Sequence, residues 1–199
     1  MTPKEAEARN WLGAFVIPIA AASLVMVFVV LHENRQGASG IALLFLLPAV
    51  FSLHVTEEFI WPGGFISWDN IFRPQYAGTA GSFYVRINAI PAVGFFLGAL
   101  LAMSNPTRFL GSFVPTWLTM STFMCWNAIF HLRGALRTHR YSPGMVTGLA
   151  LFFPLTLVAF ICFLRAGLPP VAAVLSGAAA FAVQPILNLA KGFGQKKAA

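Results

Sequence analysis

Stretches of about twenty mostly apolar residues recur six times along this chain, and a run of that length is what an α-helix needs to cross a bilayer. Their limits are Trp11–Leu31, Gly40–Ile60, Val85–Ser104, Phe109–Leu132, Gly144–Leu164 and Leu168–Leu189. Only 10% of the 199 residues are charged and 58% are hydrophobic. A soluble domain carries about a quarter charged residues, so this inventory cannot supply a water-facing surface. The expected fold is all-α: an integral membrane bundle of six transmembrane helices forming one domain over residues 1–199. The first run is longer than a signal-peptide core and no clear small-residue cleavage site follows it, so it is expected to stay as helix 1. Prolines inside the runs (Pro18, Pro48, Pro91, Pro115, Pro154, Pro185) are tolerated in membranes and mark expected bends. No internal repeat is visible. Cys125 and Cys162 lie far apart in apolar runs and read as small buried residues, not as a disulfide.

Connections are short except Trp61–Tyr84, where Trp61, Trp68, Phe72 and Tyr76 accompany Asp69 and Arg73. That mixture suits a membrane interface, either flat on the bilayer or folded over a site as a lid. Six spans place the N-terminus, second loop, fourth loop and C-terminus on one side. Lys4, Arg9, Arg73, Arg86, Arg133, Arg137, Arg140, Lys191, Lys196 and Lys197 fall there, against Arg35, Arg108 and Arg165 opposite. Basic residues mark the cytoplasmic side, so both termini are expected to be cytoplasmic, as in a bacterial inner membrane. The net charge of +7 therefore speaks to topology. No basic face interleaved with stacking aromatics supports a nucleic-acid partner; the expected partners are the bilayer and an apolar or lipidic small molecule.

Against this background "LFLLPAVFSLHVTEEFIWPGGF", Leu44 to Phe65, needs a reason. A charge at the centre of a spanning helix costs about 2.5–3.5 kcal/mol, less near an end. Glu57 and Glu58 are the only acids expected within a span. With His54 they sit at i, i+3 and i+4, on one helix face. A second group, Asn127 and His131, is spaced i, i+4 near the end of the fourth run. A third opens the fifth run with Tyr141, Ser142, Pro143 and Gly144. Here Ser142 is expected as N-cap and Pro143 as first helical residue, leaving free backbone N–H groups for an anion. Arg86 and Asn88 near the start of the third run form a fourth group. The expected topology brings all four to the same, cytoplasmic depth.

His54-Val55-Thr56-Glu57-Glu58 reads HxxEE, Asn127 to His131 reads NxxxH, and Tyr141 to Gly144 reads YxPG. In this order on a multi-helix membrane protein they resemble the HXXEE-motif transmembrane family, over about residues 40–150. That family is functionally uncharacterised, and its motifs are suggested to form an active site. The resemblance thus implies where a site lies but supplies no reaction.

The residues themselves suit a divalent metal, zinc or iron: His54, His131, Glu57 and Glu58 as ligands, with Asn127 either ligating or orienting His131. One of Glu57 and Glu58 could bind metal while the other acts as general base, with Tyr141 donating to a developing oxyanion. Arg86, Asn88, Ser142 and Gly144 are the candidates for substrate binding. The expected activity is hydrolytic or oxidative. A metal-free acid–base isomerase or lyase is the alternative, by analogy of chemistry with sterol isomerases of the emopamil-binding type. A proton- or ion-coupled carrier is a third. Multi-histidine di-iron enzymes, which need about eight histidines, are excluded by the four present. The structural alternatives are an ion pair of Glu57 or Glu58 with Arg86 or Arg133, and interhelical hydrogen bonding by His54, Asn127 and His131.

Overall fold

The computed structural model describes residues 1–33 and 38–196, and these are mostly helical with no strand among them. Arg35 and Lys197 of the charge pattern lie outside the described residues, as do the side chains of Arg108 and Lys196. Eight α-helices follow in order: α1 Pro3–His32, α2 Ala38–Phe59, α3 Phe65–Phe72, α4 Gly81–Ser104, α5 Pro106–Thr138, α6 Met145–Thr147, α7 Phe153–Arg165 and α8 Pro170–Lys196. A 3₁₀ turn at Pro74–Tyr76 follows α3, and a π-helical turn at Gly148–Phe152 joins α6 to α7 in one continuous helix. The wider π turn comes just before Pro154, whose ring would press on a preceding carbonyl in a regular α-helix.

Helix α1 begins eight residues before the expected span. Thr2 and Glu5 form a reciprocal capping box, and Pro3 takes the first turn, where a missing N–H costs nothing. The expected N-terminal tail is therefore helix. Glu5 also accepts a hydrogen bond from the Ser67 backbone N–H at 2.9 Å, tying this end of α1 to α3.

Among the described residues, five helices are long and apolar enough to cross a membrane: Pro3–His32, Gly40–Phe59, Gly81–Ser104, Met145–Arg165 and Pro170–Lys191. The remaining expected span lies within α5, a single helix of 33 residues, about 50 Å long. It has the length, but Thr116, Thr119, Ser121, Thr122 and Asn127 dilute its apolar run, and it is not one of the five. Three of these hydroxyls are satisfied inside the helix, Thr116 on the Ser112 carbonyl, Thr119 on the Pro115 carbonyl and Ser121 on the Leu118 carbonyl. The last turns of α5 replace part of the loop expected at Arg133–Pro143.

Helix α2 is the axis of the bundle. Of its apolar window 67% is buried, against 17–33% in the other four. It packs against α1, α4 and α7, while α5 packs against α8. The outer helices turn Phe28, Leu157, Val174 and Ile186 outward, fully sixty percent exposed or more, which is the kind of surface a bilayer covers. The polar end of α2 is therefore enclosed by protein, where charge can be paired. Pro62, Gly63 and Gly64 end α2 and lead into α3, which lies across the same end of the bundle against α5.

Candidate functional site

His54 and Glu58 are one turn apart at the end of α2, and His131 reaches them from α5. His54 Nε2 lies 3.5 Å, and His131 Nε2 3.1 Å, from Glu58 Oε1. All three residues are buried, and their ligand atoms lie within 4.8 Å of one another. Donors held at about 2.0–2.1 Å in a tetrahedron sit about 3.3 Å apart, and these two separations bracket that spacing. His54, Glu58 and His131 thus form a group that could hold a metal ion.

The outer nitrogens of both imidazoles are engaged elsewhere. His54 Nδ1 is 3.1 Å from Thr147 Oγ1, and His131 Nδ1 is 2.7 Å from Ser142 Oγ. With Nδ1 protonated and donating, each ring turns a lone pair on Nε2 toward Glu58, the tautomer a metal ligand needs. The Asn127 amide lies 3.1 Å from His54 Nε2 and 3.2 Å from His131 Nε2. Its NH₂ donates to both rings; turned over, its carbonyl oxygen takes the same place. Aromatic rings enclose the imidazoles. Trp68 of α3 stacks on His131 at 5.6 Å and 20°, and Phe152 meets His54 edge-on at 5.6 Å. Helix α3 thus packs against the site through Trp68 and Phe65. Gly134 makes room for it, since a Cβ there would lie 2.3 Å from the Trp68 ring.

Glu57 has a different role from its neighbour. Its Oε2 accepts from the Thr147 backbone N–H at 2.7 Å, and its Oε1 from that of Val146 at 3.1 Å. The Thr147 hydroxyl and the Tyr141 hydroxyl also donate to it. The carboxylate therefore caps α6 from outside, at the positive end of a helix dipole. This corrects the expectation of free N–H groups there: their anion is Glu57. It also corrects the cap itself. The N-cap is Gly144, with φ +96, and the helix begins at Met145, so Ser142 is left to hold His131 and Pro143 lies in the turn. The capping leaves Glu57 outside the metal-capable group, and neither Glu57 nor Glu58 pairs with Arg86 or Arg133 among the described residues. Tyr141 lies in the loop between the helices. Burial, and then its hydrogen bond to Glu57, push its phenol above the usual range, so it stays a donor.

Gly144 is required twice over. Its φ of +96 disfavours a side chain, and a Cβ would lie 2.8 Å from both Glu58 Cγ and His54 Cε1 and 3.0 Å from His131 Cε1. It is the floor on which the two imidazoles and the carboxylate rest.

The two residues expected from the third run part company. Arg86 is exposed and turns back onto the Ser82 carbonyl at 3.2 Å. Asn88 is buried, donates to the Tyr84 carbonyl at 2.9 Å, and lines a cavity of about 80 Å³ beside the metal-capable group. His54, Glu58 and Asn127 form one wall of this cavity; Arg73, Tyr84 and Lys191 form another. The second wall was not foreseen. Asp69, 1% exposed, accepts from Arg73 Nε at 2.6 Å, from Lys191 Nζ at 3.1 Å and from the Tyr84 hydroxyl at 3.2 Å. Lys191 and Arg73 read as topology signals in the sequence. The spacing of Phe65, Trp68, Asp69 and Phe72 at i, i+3, i+4 and i+7 is the signal that could have placed Asp69 on the inner face of a helix.

Comparison with protein families matches residues 45–159 to proteins of unknown function with an HXXEE motif. The match spans more than half of the chain and takes in all three motifs, so the chain belongs to that family. No curated protein and no solved structure matches it.

Proposed function

We propose that this protein is a membrane-embedded, metal-dependent enzyme acting on a lipid or other apolar small molecule near the cytoplasmic face. The observation that carries the reading is the convergence of His54, Glu58 and His131 from two helices, with both imidazoles oriented by Thr147 and Ser142. A set of two histidines and one carboxylate suits zinc or iron and leaves a coordination position for water or substrate. Bound there, a divalent ion would supply Lewis acidity, activating water or polarising a substrate oxygen. The protein's own residues do the rest. Ser142 and Thr147 fix the imidazole tautomers, Asn127 faces the reacting atoms, and α3 with Trp68 and Phe65 keeps bulk water away. Glu57 and Tyr141 hold the start of α6 against the site.

The proposed setting is a bundle of six spans, α5 being the sixth, with both termini in the cytoplasm of a bacterial cell. The positive-inside pattern supports it. The ends of α2 and α5 and the start of α6 then share one depth, where a charge costs less than at midplane.

One observation favours a metal-free acid–base reading. Glu58 Oε1 and His131 Nε2 are 3.1 Å apart, a distance at which they could share a proton and pass it to a substrate. Elemental analysis of the detergent-purified protein separates the two. The metal reading expects one zinc or iron per chain, lost in Glu58→Gln and His131→Ala. Absence of stoichiometric metal from a folded wild-type protein would leave the acid–base reading in its place.

A further inference from the structure

The cavity next to the metal-capable group is bounded on its far side by two cations, Arg73 and Lys191, which both pair with the buried Asp69. Lys191 is 4% exposed and Asp69 1% exposed, and Arg73 lends only its Nε to Asp69. Buried charge is stable when paired, and here one carboxylate serves both cations. Glu58 also lines the cavity, and His54 and His131 engage it at 3.5 and 3.1 Å. Aromatic faces extend the cationic wall: the guanidinium of Arg73 lies 4.4 Å from the Phe130 ring centroid, and Lys191 Nζ 5.0 Å from that of Tyr84. The cavity, about 80 Å³, has room for a head group but not for a hydrocarbon tail.

Room for a tail lies next door. A groove of about 720 Å³ runs between α5 and α8, lined by Trp126, Ile129 and Phe181, with Arg133 and Arg137 on its border. Arg73, Phe123, Phe130 and Gln184 line both the groove and the cavity, so the two adjoin. The apolar lining of the groove is open to the outside of the bundle, with Trp126, Ile129 and Phe181 all exposed.

We infer that the cavity binds the acidic head group of a membrane amphiphile, a carboxylate or a phosphate monoester, held by Arg73 and Lys191. Its chain lies in the α5–α8 groove and enters from the bilayer. Head-group binding here places the atoms beside the head against His54, Glu58 and Asn127. This inference deepens the proposed function by naming the substrate class, and it rests on that reading only for the chemistry that follows binding.

The test uses the whole protein in an uncharged detergent, titrated with palmitate, lysophosphatidate, neutral monopalmitoylglycerol and inorganic phosphate. Binding is read by native mass spectrometry and by the shift in Tm. Palmitate or lysophosphatidate is expected to bind and raise Tm, with monopalmitoylglycerol and inorganic phosphate at least about tenfold weaker, the effect of losing one charge-assisted hydrogen bond or the tail. Lys191→Met lowers acidic binding by a similar factor. Asp69→Asn frees both cations and raises it, whereas a purely structural ion-pair cluster would lose stability in that variant and gain no affinity. Equal binding of the neutral lipid overturns the inference, as does wild-type affinity in Lys191→Met. Inorganic phosphate binding as tightly as the lipids would overturn the membrane source. Metal content measured on the same samples keeps the two proposals apart: acidic-lipid binding without metal defeats the metal reading and leaves this one standing.

Discussion

Gly144→Ala tests whether the site depends on the close approach of the YxPG turn. The added Cβ would sit 2.8 Å from Glu58 Cγ and His54 Cε1, where carbon atoms prefer about 3.5 Å. Relief therefore requires a displacement of about 0.7 Å, several times the roughly 0.2 Å latitude of a metal–ligand bond. Backbone and packing costs can be separated. Gly167 has the same φ of +96, yet a Cβ there meets nothing within 4 Å. Gly167→Ala should then show the backbone cost alone, about 1–2 kcal/mol. Gly144→Ala should add about 1–3 kcal/mol of overpacking, and its metal affinity should fall by about 10- to 100-fold, as when the support of a ligand is disturbed. The assay is thermal unfolding in detergent beside elemental analysis after dialysis against a weak chelator. Equal stability and metal content in the two variants would show that the close approach of Gly144 does not support the site, because only one of them crowds the imidazoles.

Ser142→Ala and Thr147→Val each release one imidazole from its hydroxyl partner; both should weaken metal binding about 10- to 100-fold while leaving the helical content unchanged by circular dichroism. Glu57→Gln leaves an amide facing the donors at the start of α6 and should cost about 1–3 kcal/mol of stability, yet keep the metal; loss of metal in that variant would contradict the separation of the two glutamates. Tyr141→Phe should cost about 1 kcal/mol or less. The raised Tyr141 ionisation makes its contribution complete below the free phenol value of about 10 and lost as the pH climbs through the higher value in the folded protein; a spectrophotometric titration lacking one late-ionising phenol relative to wild type in Tyr141→Phe checks this.

Much of the site was legible because its spacing is helical. His54 with Glu58, and Asn127 with His131, are i, i+4 pairs, and such pairs share a face whatever surrounds the helix. The division of labour between Glu57 and Glu58 was not legible. Both flank His54 on the helix, and the start of α6, ninety residues on, decides which of them it recruits. Ser142 is not the cap because Gly144 adopts a left-handed conformation that starts the helix two residues later. Lys191 lies 122 residues from Asp69, and a lysine near the end of a spanning helix ordinarily marks the membrane surface; only α3, which carries Asp69, turns it into a buried partner. The fold class followed from the apolar runs. Helix α5 shows their limit, since a helix facing a polar site carries threonine, serine and asparagine that lower its hydropathy without shortening it.

X-ray absorption spectroscopy of the detergent-purified protein, grown with zinc and iron available, bears most directly on the metal site. One ion per chain is expected in a first shell of nitrogen and oxygen at about 2.0–2.2 Å, with the outer-shell scattering of two imidazoles, and no bound ion is expected in His131→Ala. A folded protein with no bound ion, or an ion whose shell lacks imidazole, would contradict it.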